Sequence, residues 1–135
     1  MMTRRSVLVC WGLVLVLVGG LLMSGCSSKQ LELASQDSGG QNVLKPGQTF
    51  TLTLESNPTT GYSWEFVGLD DQDVVELVKT EYKADSDLIG AGGVDIMQLK
   101  AVQAGDVELK LIYHRSWEEG VEPIATFTYT VSVRD

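Results

Sequence analysis

An all-β fold, an immunoglobulin-like β-sandwich of about seven antiparallel strands, is what three features of this sequence predict. From Val43 onward apolar and polar residues alternate with a period of two, and no helical period competes with it. Turn-forming residues break the alternation about every 8–12 residues. Each alternating stretch places its large apolar side chains on one face, so two sheets can supply one core.

Taken in order, Lys45-Pro46-Gly47-Gln48 is a turn, because proline presets φ and glycine accepts positive φ. The strand 49–56 follows, with Phe50, Leu52 and Leu54 on one face and threonines on the other. Asn57 to Gly61 is a loop, and 62–67 is a strand that begins at Tyr62 and Trp64. After a Gly/Asp/Gln loop comes 74–82, whose pattern is mixed. Residues 83–93 form a long loop ending in Gly90-Ala91-Gly92-Gly93. The strand 94–102 sets Met97, Leu99 and Ala101 on one face, and Gln103-Ala104-Gly105-Asp106 turns the chain. In 107–114 the residues Val107, Leu109, Leu111 and Tyr113 face inward. The loop 115–123 precedes the last strand, 124–133, which points Phe127, Tyr129, Val131 and Val133 inward. With no cysteine in this region, Phe50, Trp64, Tyr113 and Phe127 are expected to carry much of the packing.

The N-terminus reads as an address and an anchor. Arg4 and Arg5 precede a Val/Leu-rich run from Val7 to Val18, the form of an export signal. Ser24-Gly25-Cys26 resembles a bacterial lipobox, in which the cysteine is lipidated and becomes the first mature residue. The expected division is a lipoprotein signal peptide over 1–25, the lipidated Cys26 with a flexible tether over 26–42, and a folded domain over 43–135. Within the tether, Leu31, Leu33 and Val43 are placed to form a short first strand. An uncleaved apolar anchor is the alternative, and both readings export the domain. Thr3-Arg4-Arg5-Ser6-Val7-Leu8 also resembles a twin-arginine signal. Cys10 lies inside the apolar run and Cys26 is the lipid site, so the domain has no disulfide, thiolate metal site or cysteine nucleophile.

The net charge is −8, and removing the signal takes Arg4 and Arg5 but no acid, giving about −10. Nucleic-acid binding needs a basic footprint that this chain lacks. The excess of acid serves solubility first.

Strands of an antiparallel sandwich alternate in direction, so their loops alternate between its two ends. That parity gathers the loops 57–61, 83–93 and 115–123 at one end. The loops at the other end are ordinary Gly, Asp and Gln turns. The gathered loops carry Asn57-Pro58-Thr59-Thr60-Gly61, a glycine-rich backbone, and Arg115-Ser116-Trp117. Glycines let backbone approach another surface, and an exposed Arg/Trp pair has the composition of a binding hot spot.

In these three loops the chain resembles the chagasin family of cysteine-peptidase inhibitors. That family carries NPTTGY, GxGG and RPW in loops of an immunoglobulin-like fold. Here Asn57-Pro58-Thr59-Thr60-Gly61-Tyr62 and Gly90-Ala91-Gly92-Gly93 are complete, and Ser116 stands where the family has proline. The resemblance covers roughly residues 43–135. It implies a reversible, non-covalent inhibitor that occludes the cleft of papain-like peptidases, works as a monomer and needs no cofactor or metal. By the same resemblance, Thr59 and Thr60 sit over the catalytic Cys–His pair. Gly90, Gly92 and Gly93 lie along one wall of the cleft, and Arg115 and Trp117 pack on the other. Tyr62 and Trp64 anchor the central turn in the core.

Two other readings compete. His114, the one histidine, and Ser116 lack the signature and orienting carboxylate of a hydrolase. Asp70, Asp71 and Asp73, like Asp85 and Asp87, lack the spacing of a calcium loop. A lipid-anchored surface module for adhesion or envelope assembly explains the anchor and the fold but not three motifs at one end.

Overall fold

The computed structural model describes residues 29–69 and 73–135. The expected signal peptide, the lipidation site Cys26 and the loop residues Asp70 and Asp71 lie outside the described residues. Eight strands form two four-stranded sheets: β1 (Leu31–Ala34), β2 (Gly40–Leu44), β3 (Thr49–Ser56), β4 (Ser63–Phe66), β5 (Val75–Ala84), β6 (Gly93–Ala101), β7 (Gly105–His114) and β8 (Ala125–Val133). The first sheet runs β1-β3-β6-β5 and the second β2-β8-β7-β4.

The core follows the alternation. Phe50, Leu52 and Leu54 of β3 are fully buried, and Met97, Leu99 and Ala101 of β6 lie beside them. Val107, Leu109 and Leu111 of β7, with Phe127, Tyr129, Val131 and Val133 of β8, form the facing layer. Burying a side chain of this size contributes about 1.5–3 kcal/mol. The Lys45–Gln48 turn closes as expected, with Gly47 at φ +88° and Gln48 N donating to Lys45 O over 3.1 Å. Near it, Asp106 accepts from Ser132 Oγ and Arg134 Nη2, both at 2.6 Å. The hydroxyl bond first, and then the guanidinium, hold the Asp106 carboxyl below the usual range.

Three expectations change. The tether gives way from Leu31 onward to β1, the short strand expected of Leu31 and Leu33, then to a 3₁₀ turn at Ser35–Asp37 and a second strand, β2, which takes Val43. β1 pairs parallel with β3 and β2 pairs parallel with β8, so this segment crosses from one sheet to the other. Leu33 and Leu44 are its buried residues. The crossing is fastened by Gly39 N to Thr128 O (2.7 Å) and Thr128 N to Ser38 Oγ (3.1 Å). Second, β5 is an edge strand on which only Val75 is buried, with a bulge between Leu77 and Lys79. Lysines and a bulge are devices that keep an open edge from pairing. Third, Trp64 and Tyr113 are half-buried rather than central. They stack on each other at 4.9 Å, at the end of the sandwich.

The registers Ser56↔Gly93, Ala84↔Gly93, Ser63↔His114 and Tyr113↔Ala125 align the strand ends. The loops 57–62, 85–92 and 115–124 therefore emerge together, as strand parity requires. β1 runs parallel to β3, so the chain enters the domain at the opposite end.

Because β1 belongs to the sandwich, Leu33→Ala is expected to cost about 2–5 kcal/mol in urea denaturation. A tether residue would cost less than about 0.5 kcal/mol.

Candidate functional site: three loops at one end

The central loop is a single turn of 3₁₀ helix, Pro58–Thr60, rather than a simple β-turn. Its sequence supplies every element of that turn. Asn57 is the N-cap: its Oδ1 accepts from Thr59 N (3.2 Å) and from Thr59 Oγ1 (2.6 Å). Pro58 sits at the first helical position, where no N–H is needed. Gly61 closes it in the left-handed region at φ 82°, ψ −2°. Thr60 N and Thr60 Oγ1 both donate to Asn57 O, at 3.1 and 2.6 Å, and Gly61 N donates to Pro58 O at 3.0 Å. Pro58, Thr59 and Thr60 are exposed. The loop is tied down from below, where Asn57 N donates to the Tyr113 hydroxyl at 2.9 Å.

Asn57 also reaches sideways, its Nδ2 donating to Gly90 O at 3.3 Å. That bond joins the central loop to the glycine loop. Ala91 N to Leu88 O (3.1 Å) and Asp85 N to Gly92 O (3.0 Å) shape the glycine loop. Gly90 is exposed, Gly92 half-buried and Gly93 buried. Gly93 is required by space, since a Cβ there would sit on the Lys83 carbonyl oxygen and the Tyr82 hydroxyl. In the same loop Leu88 is largely exposed and Ile89 fully so.

The third loop meets the central one from the other side. Arg115 Nε donates to Thr60 O (3.1 Å), and Arg115 Nη1 to Glu118 Oε1 (3.1 Å). The guanidinium lies over the Tyr62 ring, 4.4 Å from its centroid. Arg115 is thus occupied within the fold on three sides. Trp117 is 66% exposed, yet its indole edge packs against Gly61 so closely that a Cβ there would collide with it. Gly61 is therefore doubly specified, by its positive φ and by the indole.

The expected contact residues from Asn57 to Trp117 thus gather at one edge, except Gly93, which is buried beneath it where the strand ends close on Lys83 and Tyr82. Three residues that hold it were not singled out as site residues. Tyr113 receives the Asn57 N–H and packs against Trp64 and Tyr62, the latter at 5.5 Å. Glu118 pairs with Arg115 across the turn, three residues apart. Trp64 Nε1 donates to Glu55 O (2.9 Å), bracing the two sheets beneath the loop. His114 Nε2 lies 2.5 Å from Glu65 Oε2 on the outer face of the sheet.

The model of the Chagasin family peptidase inhibitor I42 matches residues 43–131. The chain belongs to the chagasin family of cysteine-peptidase inhibitors. The inhibitor is 35% identical to Amoebiasin-2 of Entamoeba histolytica over 86 residues, 62% of this chain and 68% of that protein. It is 32% identical to Chagasin of Trypanosoma cruzi over 84 residues, 59% and 76% of the two chains. The crystal structure of the cysteine protease inhibitor EhICP2 from Entamoeba histolytica superposes with a TM-score of 0.67 at 29% identity. That match covers 77% of this inhibitor and 95% of the other chain. The protein is therefore an inhibitor and not an enzyme, and nothing in these likenesses favours a non-inhibitory surface module.

Gly61→Ala is expected to lower stability by about 1–3 kcal/mol, since a non-glycine residue is strained at that φ. It should also displace the indole. By NMR, the Trp117 indole N–H resonance shifts while that of Trp64 stays; two unmoved resonances would contradict the packing.

Proposed function

We propose that the inhibitor acts on papain-like cysteine peptidases by seating this three-loop edge in their active-site cleft, reversibly and without covalent chemistry. The observation that carries the reading is the bonding of the three loops into one exposed, pre-organised edge by Asn57 and Arg115. Pre-ordered loops lose little conformational freedom on association. A peptidase–inhibitor interface buries roughly 1,600 Å² in total, which three adjoining loops of this size can supply on one side.

In this mechanism Thr59 and Thr60 cover the catalytic Cys–His pair. Gly90 and Gly92 offer backbone along one wall, with the buried Gly93 beneath them as support, and Trp117 lays its indole on the other. Arg115 contributes its partly exposed guanidinium at the same side. The central loop resists cleavage for a geometric reason. Attack by a cysteine thiolate needs a carbonyl oxygen free to enter an oxyanion hole. The carbonyls of Asn57, Pro58 and Thr60 already accept hydrogen bonds within the inhibitor, while that of Thr59 has no partner among the described residues. A tightly wound 3₁₀ turn also cannot lie extended across a cleft as a substrate does.

We further propose export and lipid anchoring at Cys26 outside the cytoplasm. The sequence features of residues 1–26 support it. So does the direction of β1, which starts at the end of the sandwich away from the three loops. An anchor there leaves the edge facing outward. Two or three acyl chains, at about 0.8 kcal/mol per buried CH₂, hold firmly.

Titration of papain and a cathepsin L-type enzyme tests the reading. Inhibition is expected, and no inhibition at micromolar concentration would overturn it. Trp117→Ala is expected to weaken inhibition at least about 30-fold, as a hot-spot residue does, with little change in Tm. For the anchor, fatty-acid labelling in cells should give a membrane-bound, labelled protein. Cys26→Ser should lose both label and membrane association.

A further inference from the structure

The family's proline between Arg115 and Trp117 is a serine here, in a turn whose two ends are joined twice. Glu118 N donates to Arg115 O over 3.1 Å, so Arg115–Glu118 is a hydrogen-bonded β-turn. Ser116 occupies its second position and Trp117 its third. The second position is where proline is favoured, because its ring presets the φ that the turn requires. Serine leaves that torsion free, and the Trp117 apex with it. Yet the two ends of this turn are joined a second time. Arg115 Nη1 and Glu118 Oε1 are 3.1 Å apart, with side chains only 34% and 29% exposed.

An ordinary exposed ion pair contributes little, because it is screened and must immobilise two long side chains. This pair escapes much of that cost. Arg115 is already fixed by Thr60 O and by the Tyr62 ring, so Glu118 alone is ordered by the contact. The pair is also partly buried. It spans the first and fourth residues of the turn, the same span that the backbone hydrogen bond closes.

We propose that Glu118 is a positioning residue for Trp117, stiffening the turn through Arg115 as the family's proline does through its ring. The proposal deepens the reading above, since it rests on the Trp117 turn contacting the peptidase. No hydrogen bond among the described residues uses the Ser116 N–H, so a proline fits the bonding at that position.

A double-mutant cycle in the full chain, with papain as the probe, tests it. Glu118→Gln is expected to raise Ki about fivefold at low salt, the upper range for such a pair. Ser116→Pro alone should change Ki less than about twofold, because the turn is already held. Ser116→Pro combined with Glu118→Gln should return Ki to within about twofold of the parent chain. By NMR relaxation, the Trp117 backbone amide should become more mobile in Glu118→Gln and recover in the double variant. Added salt should raise Ki of the parent more than that of the double variant. An unchanged Ki in Glu118→Gln, or an equal gain from Ser116→Pro in both backgrounds, would overturn the proposal. Trp117→Ala run alongside separates the two levels. If it inhibits fully, the turn is no contact and both readings fall. If it loses inhibition while Glu118→Gln does not, only the role of Glu118 falls.

Discussion

Asn57 is the knot on which the three-loop edge depends. Each of its polar groups is used. The backbone N–H goes down to Tyr113 and the carbonyl takes the N–H and hydroxyl of Thr60. The side-chain oxygen takes two donors from Thr59, and the side-chain NH₂ reaches Gly90. Neighbouring types cannot replace it. Aspartate would cap the turn equally well but has no donor for Gly90. Serine would cap it but cannot reach in two directions at once. The constraint is therefore one amide that must accept and donate in a fixed orientation, and the rest of the loop is cut to fit it.

The sandwich below makes that orientation permanent. Tyr113 is the last inward-facing residue of β7, carried on a strand whose Leu109 and Leu111 are fully buried. Moving its hydroxyl would mean moving the core. The edge also stores little backbone strain, since every positive φ among the described residues falls on glycine. Rigidity here comes from hydrogen bonds that are all made, not from torsions held out of place, so it persists in the free inhibitor. That is the property a non-covalent inhibitor needs.

Much of this was legible in the sequence. Strict alternation located the buried faces of β3, β6, β7 and β8, because a strand with one face in the core must alternate. Strand parity then brought the three motifs to one end. What escaped has physical reasons. β1 and β2 are short and bury one leucine apiece, and they pair with strands 19 and 89 residues away. Leu31 and Leu33 mark a short strand, but nothing local marks its parallel partner. β5 looked mixed because an edge strand has no second sheet face to satisfy along most of its length. The 3₁₀ character of the central loop was written in Asn57, Pro58 and Gly61, but the same residues also suit a turn. The part played by Glu118 depends on Thr60 and Tyr62, which only the fold brings to Arg115.

Occlusion requires that this edge physically fill a peptidase's cleft. The rate at which iodoacetamide alkylates the catalytic cysteine of papain tests it most directly. With the inhibitor in excess, alkylation should slow in proportion to the enzyme bound. On dissociation the inhibitor should emerge uncut by mass spectrometry. Alkylation at the free-enzyme rate, under conditions where the inhibitor is bound, would contradict occlusion by the three loops.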